Sequence, residues 1–405
     1  MSNTVGDISV DTLLISSPRG NLNLSSSFVA ASIYESVFTP GTICDIIVLD
    51  ATDFIRTLQI SGDETVFFKF KSYGGELASF VFHLNQIKDV QSVGAQKAKM
   101  YSFQCISKEI MHSKTNLIQK HYNSLCSEMI KDIHTNYLKS TKKLVDIEPT
   151  AIPQNILIPS YTPYKAIATI RRRSISRENK SSVYTYFETR ENNEQVFKFV
   201  TFEKMFAANT VKSFTQSDAI NTDIFGVVPD NNIIAYTVPN QISSINKIRY
   251  GGPRAVAQLN FTTQEEKRNI VNTSNTDPKM TATFFSEFFD GVRNPPQSVI
   301  PVDISQRSVT KISETTPSIE AYMASLIQNS MKLRVPGDTI LAPGQTIDCR
   351  IPSRTGLTSP VKDDSEMSGK FLITRIHHRI GMLIERPRYT CIIECIKINY
   401  ESNVE

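Results

Sequence analysis

Closely spaced cysteines, long apolar runs and an excess of either charge are all missing from this 405-residue sequence. The six cysteines, Cys44, Cys105, Cys126, Cys349, Cys391 and Cys395, share no short repeated spacing. Reduced, buried thiols are therefore expected rather than a disulfide framework. No stretch of 18 uncharged apolar residues occurs, and the first eleven residues offer neither a basic nor an apolar leader segment. A soluble chain made in the cytosol is the expectation. Lys plus Arg number 44 against 40 Asp plus Glu, leaving a net charge of +4. That is too small to demand a phosphate backbone or an anionic membrane as partner.

Catalytic signatures are missing as well. There is no Gly-rich phosphate loop, no G-x-S-x-G, no H-E-x-x-H and no Cys-x-x-Cys pair. What remains is 40% hydrophobic and 21% charged, ordinary for a folded protein and too apolar for wholesale disorder. The length allows two or three domains, each with its own core.

From Phe28 to about Met111 the sequence alternates apolar and polar residues between Gly, Pro, Asp and Asn punctuation. This predicts strands over 28–38, 43–49, 55–60, 65–71, 76–90 and 97–110, hence an antiparallel sheet folded over on itself as a barrel or sandwich. At Ser113 the period changes. Ile118, Tyr122, Leu125, Met129, Ile133 and Tyr137 recur at spacings of three and four, which predicts a helix over 114–140. Lys139, Lys142 and Lys143 would suit its C-terminal end. A second helix is predicted from Pro163 to about Arg173, followed by a β-hairpin of 183–189 and 195–200. The stretch 207–316 reads as β and loop, with strand-like pieces at 233–238 and 255–261. A third helix is predicted over 318–333, and strands return at 332–335, 346–351, 371–380 and 388–400. Pro40-Gly41 and Pro343-Gly344 each feed a strand with an Asp four residues after the Gly, an internal echo compatible with two related barrels or with common turn chemistry.

Candidate chemistry is thin. His377, His378, Cys391 and Cys395 are the nearest thing to a metal cluster. Adjacent strand residues point to opposite faces, and Cys391 and Cys395 would stand about 13 Å apart, so one ion could not collect them. His112, His121 and His134 read as surface or interface histidines. Glu265, Glu266, Asp363, Asp364 and Glu366 lack the spacing and turn glycine of a calcium loop. Arg171, Arg172, Arg173 and Arg177 form the densest positive cluster. They read either as a solvated helix end or as a docking patch for an acidic partner surface. Scaffold rather than enzyme is the expectation, with no metal and no cofactor.

Three segments carry a resemblance: Ser32 to Glu64, with Pro40-Gly41 and Gly62-Asp63 inside it; Ser160 to Phe199, with the Pro163 helix and the hairpin; and Leu333 to His378, with Pro336-Gly337 and Pro343-Gly344. In order and spacing these resemble the central hub protein of contractile-tailed bacteriophage baseplates. The resemblance implies a mainly β chain with α/β insertions (α+β). It would comprise a tube-type barrel over 1–112, a helix-rich α+β domain over 113–206 and a second barrel split into 207–250 and 333–400. An insertion over 251–332 and a tail over 401–405 complete it. It further implies a homotrimer that adapts a trimeric spike to a sixfold tail tube. Expected partners are the spike, the tube or tube-initiator protein, the tape-measure protein and surrounding baseplate proteins, with at most transient passage of DNA. The expected location is the virion tail, assembled in the host cytoplasm. A hub of a non-phage contractile apparatus is the first alternative. A carbohydrate- or peptidoglycan-active tail enzyme is the second, and it would need two carboxylates about 5 to 9 Å apart.

Overall fold

Inward and outward side chains alternate along the strands at 43–50, 65–72 and 330–336, and that period decides the architecture there. The computed structural model describes residues 5–51, 54, 59–72, 75–93, 98–216, 230–239, 254–259, 266–271, 297–301, 319, 323, 330–353, 363–364, 367–383 and 386–397. The N-terminal block holds β1 (Ile8–Ser17), β2 (Gly20–Asn23), β3 (Phe28–Ser36), β4 (Ile43–Asp50), β5 (Thr65–Ser72), β6 (Leu77–Val93) and β7 (Ala98–Ile106). In β5, Val66, Phe68 and Phe70 are buried while Lys69 and Lys71 face outward, as period two requires.

The middle of the chain mixes element types. It contains α1 (Lys108–Thr115), β8 (Ile118–Leu125), α2 (Cys126–Asp132) with a π-helical turn Ile133–Tyr137, β9 (Leu144–Ile147), β10 (Pro153–Tyr161) and α3 (Pro163–Arg171). The hairpin β11 (Tyr184–Glu191) and β12 (Glu194–Thr201) follows, then α4 (Phe202–Ala207). The remaining strands are β13 (Thr210–Thr215), β14 (Ala235–Thr237), β15 (Arg254–Leu259), β16 (Glu266–Val271), β17 (Gln297–Pro301), β18 (Ser330–Pro336), β19 (Thr346–Arg350), β20 (Gly369–Leu383) and β21 (Arg386–Ile396). Among the described residues no helix is long and apolar enough to cross a membrane.

Both ends of the chain enter one thirteen-stranded sheet, in the order β14-β18-β21-β20-β3-β4-β7-β6-β5-β1-β2, with β13 and β19 branching from β20. β20 makes the connection. Its first residues pair with β19 (Cys349 opposite Gly369), and its later ones pair with β3 (His378 opposite Ile33). One edge of a single strand therefore serves two blocks in turn. At the far side, Asp7 bridges Arg388 and the Tyr389 N–H donates to the Gly6 carbonyl at 2.7 Å. These two contacts bring the path β1-β5-β6-β7-β4-β3-β20-β21 back toward its start. A single apolar cluster fills it, taking Leu13, Phe68 and Phe82 from one end of the sequence and Leu333, Cys391 and Ile393 from the other.

The hairpin β11–β12 lies between this sheet and the helices, with both faces buried. Tyr184, Tyr186, Phe197 and Phe199 pack on Met129, Ile133 and Ile167. Phe187 and Val200 pack on Val37, Leu372 and Ile396. Fully burying each such aromatic contributes about 1.5–3 kcal/mol, which glues the three layers together.

Several expectations change. The helix over 114–140 is broken: 114–115 close α1, 118–125 is the strand β8, paired with β10 through Tyr122 opposite Ile156, and 126–137 is helical. Residues four apart share a face in a strand as well as in a helix, and pairing with β10 decided between them. Residues 330–333 belong to β18 rather than to a helix; Ile319 and Met323 are helical, and the rest of 318–329 lies outside the described residues. The strand expected over 55–60 also falls largely outside them, and Gln59 sits in a turn with φ of 46°. β1 and β2 were not anticipated. The Pro163 helix and the hairpin are where they were predicted.

Candidate functional site

The place where the sequence blocks meet is held by buried charge. In β3 the inward register runs Ala31, Ile33, Glu35, and Glu35 is 3% exposed. In β20 the inward register runs Ile376, His378, Ile380, and His378 is 0% exposed. Buried ionic groups persist only when paired. His378 Nε2 lies 2.9 Å from Glu35 Oε2, and Nδ1 lies 2.6 Å from the Tyr389 hydroxyl, which donates to the Asp338 carbonyl at 3.2 Å. Arg190, from β11, enters from the hairpin. Its Nη2 donates to the Leu341 carbonyl at 2.6 Å and to Glu35 at 3.4 Å, and its Nη1 to the Thr339 carbonyl at 2.7 Å. Burial pushes the Glu35 carboxyl up, but Arg190 and His378 more than offset it and leave it below the usual range. Burial opposes a charge on His378, yet Cys391 and Glu35 carry its pKa above the ordinary histidine value.

A second buried cluster is built on Glu188, two residues before Arg190 in β11. Lys142 Nζ donates to Glu109 at 2.9 Å and to Glu188 at 2.6 Å. Ser107 and Gln195 also donate to Glu188. These two clusters tie β11 to both neighbours and set the layers in register. Their carboxylates are buried, and Glu35 is also among the residues that line the groove beside it.

On the outer side of the β3–β20 pairing lies a groove of about 260 Å³, lined among others by Tyr34, Thr39, Ile43, Arg375, His377 and Glu394. The Tyr34 and His377 rings stack at 4.2 Å, and burial holds the His377 pKa down to about 4.

The residues singled out in the sequence are dispersed. His377 and His378 do point to opposite faces of β20. Cys391 Sγ lies 3.4 Å from His378, while Cys395 faces the Met331 carbonyl. Among the described residues no group of three or more His, Cys, Asp or Glu could hold a metal ion. His134 is not a surface residue: it is buried between the Tyr186 hydroxyl at 2.8 Å and the Lys142 carbonyl at 3.0 Å, because the break after β8 turns it inward. His121 is exposed against Asn155, and His112 lies in α1. Asp364 caps a turn by accepting from the Met367 N–H, whereas Glu265 and Glu366 lie outside the described residues.

Arg171 closes α3, and Arg172, Arg173 and Arg177 follow on the turn beyond it. Arg172 and Arg177 are exposed, Arg171 and Arg173 half-buried. Burial lowers the pKa of both half-buried guanidinium groups. Glu35 and Arg190 escaped the sequence reading, and His378 entered it only as a metal candidate, although a charged residue at an inward strand position is itself the signal of a buried partner.

The whole chain resembles solved tail proteins in fold. It covers 96% of the tail protein from Neisseria meningitidis MC58 over 95% of its own length, with a TM-score of 0.56 and 8% identity. It covers 98% of the 43 kDa tail protein of prophage MuSo2 from Shewanella oneidensis, again over 95% of its length, with a TM-score of 0.54 and 10% identity. Against the E. coli c3393 protein, a type VI secretion component described as similar to the T4 bacteriophage tail proteins gp27 and gp5, it matches 97% of its length and 77% of that chain (TM-score 0.50, 9% identity). No protein-family model and no curated protein sequence matches the chain. At this identity it is the fold alone that is shared.

Proposed function

We propose that this protein is the central hub of a phage tail baseplate, a homotrimer that joins a trimeric spike to the sixfold tail tube and helps pass DNA during injection. The end-to-end likeness to tail proteins carries the reading. The sheet supports it: β20 places the strands of both blocks side by side, so three chains would present six such groups around one axis. A role of this kind needs broad self-complementary surfaces and a rigid frame, which the layered core and its buried charges supply. In this reading the chain also meets the tube or tube-initiator protein, the end of the tape-measure protein and the surrounding baseplate. It is assembled in the host cytoplasm and resides in the virion tail.

The test is the mass of the purified protein by light scattering, alone and mixed with a candidate spike protein. Three times the 45.5 kDa chain mass is expected. A monomer in both samples would overturn the hub.

A second reading, the hub of a non-phage contractile apparatus, is favoured by the likeness to the E. coli secretion component. Particles containing the protein distinguish the two: DNA-filled heads attached to them support the phage reading, and headless tubes the other.

A further inference from the structure

Positive charge in this chain is concentrated in one unit. Residues 113–206 carry 15 Lys and Arg against 9 Asp and Glu, a net +6; since the chain totals +4, all other residues together carry −2. Within that unit five cations have carboxylate partners: Lys120, Lys142, Arg190, Lys198 and Lys204. Arg171, Arg172, Arg173 and Arg177 have none within 4 Å among the described residues.

These four arginines are held on a stiff frame. α3 is anchored by Ile167 and Ile170 in the core, and the Ser174 hydroxyl donates to the Ile170 carbonyl at 3.1 Å. The loop carrying Arg177 is closed by the Ser176 N–H donating to the Ser181 carbonyl at 2.8 Å. The Arg177 N–H donates to the Pro149 carbonyl at 3.1 Å, and Ser176 and Asn179 both donate to the buried Glu148. Lys165 stands seven residues before Arg172 on the outward face of α3 and adds to the same side. The backbone that carries the cations is therefore fixed before any partner arrives, which leaves only side-chain ordering to be met on binding.

We infer that this surface docks an acidic segment of a partner protein. The half-burial of Arg171 and Arg173 selects that occupant. A recessed guanidinium is reached by a single carboxylate arm, which it can hold through two parallel hydrogen bonds. A nucleic-acid duplex presents its phosphates on a convex rod and is gripped by projecting cations with aromatic support, and no aromatic ring stacks on these arginines among the described residues. The half-buried charges also lack a local counter-ion, so an incoming carboxylate supplies what the fold leaves out. The inference rests on the hub reading only for where the partner comes from.

Fluorescence anisotropy of the full chain tests it, with a labelled oligo-glutamate peptide in one arm and a labelled DNA duplex of equal charge in the other. The double reversal R172E/R177E should weaken peptide binding roughly tenfold or more, while Lys71→Glu on β5 should change it by less than about twofold. The neutral R172Q/R177Q pair should fall between and guards against misfolding, as does an unchanged melting curve. Unaltered peptide binding after reversal overturns the inference. So does duplex binding that exceeds peptide binding and is lost in the same variants, which would make the patch a nucleic-acid contact. Light scattering on the same samples separates the two proposals: a trimer indifferent to the peptide removes the docking site alone, and a monomer that still binds it removes the hub alone.

Discussion

Glu35 accepts a hydrogen bond from His378 at 2.9 Å across 343 positions of sequence. β3 and β20 are neighbours in the sheet, and the pairing of Ile33 with His378 brings the Glu35 side chain, two residues along the same face, onto the imidazole. Arg190 reaches both from the hairpin, so one carboxylate fixes three strands, β3, β20 and β11, to each other.

Replacing that carboxylate should be costly. Glu35→Gln leaves Arg190 and His378 buried without a counter-charge, and the expected loss is about 3–5 kcal/mol, read from urea unfolding at neutral pH. Because the folded pKa of Glu35 is depressed, its contribution is present above the unfolded value near 4.5 and disappears as pH falls through the folded one. The gap between wild type and variant should narrow in acid. A gap that is flat from neutral pH down into that range would show that Glu35 is not ionised in the fold.

The second buried cluster makes the opposite pH prediction. Lys142→Met would leave Glu109 and Glu188 facing each other with no cation, and burial together with Glu109 already pushes the Glu188 pKa up. The variant should lose about 3–5 kcal/mol at neutral pH. Carboxyls whose folded pKa lies above the unfolded value bind protons on folding, so part of that loss should return as pH is lowered toward 5. Adding Glu188→Gln should recover stability at neutral pH. Failure of both rescues would mean that the loss comes from packing alone.

Gly337 is a steric test of the packing on β21. A Cβ at this position would stand 2.0 Å from Cγ of Tyr389, and that ring is 0% exposed, with its hydroxyl engaged by His378. Neither side can yield cheaply. Gly337→Ala should destabilise by more than about 3 kcal/mol. If differential scanning calorimetry shows an unchanged melting temperature, the contact between the 336–339 turn and β21 is not as tight as described.

What could be read from the sequence was local. Val66, Phe68 and Phe70 announced β5, Pro163 announced α3, and the alternation on either side of Arg190 to Glu194 announced the hairpin, because each signal lies within one element. β8 was hidden because Ile118 and Tyr122, four residues apart, fit two periods at once. The joining of β3 to β20 was invisible for a different reason: the partners are hundreds of residues apart, and either strand alone would pair with any complementary edge. The arginine cluster could be found as a charge pattern, but its lack of internal partners and the half-burial of Arg171 and Arg173 emerge only from packing.

Adjacent histidines with opposite surroundings provide the most direct check of the sheet. His377 stacks on Tyr34 in the outer groove, where burial, Arg379 and His378 hold its pKa down to about 4. His378 lies inside, where burial is outweighed by Cys391 and Glu35 and its pKa rises above 6.5. Histidine ring NMR, assigned with His377→Gln and His378→Gln, should show one ring titrating near 4 and the other above 6.5. The stability consequences have opposite signs. A raised folded pKa stabilises fully below the unfolded value and is lost as pH climbs through the folded one, so His378→Gln should cost more at pH 6 than at pH 8. A depressed folded pKa penalises the fold as pH drops from 6.5 toward 4, so His377→Gln should gain on wild type in that interval. Two rings titrating together near 6.5 would place both in solvent, and the pairing of β3 with β20 could not then be as described.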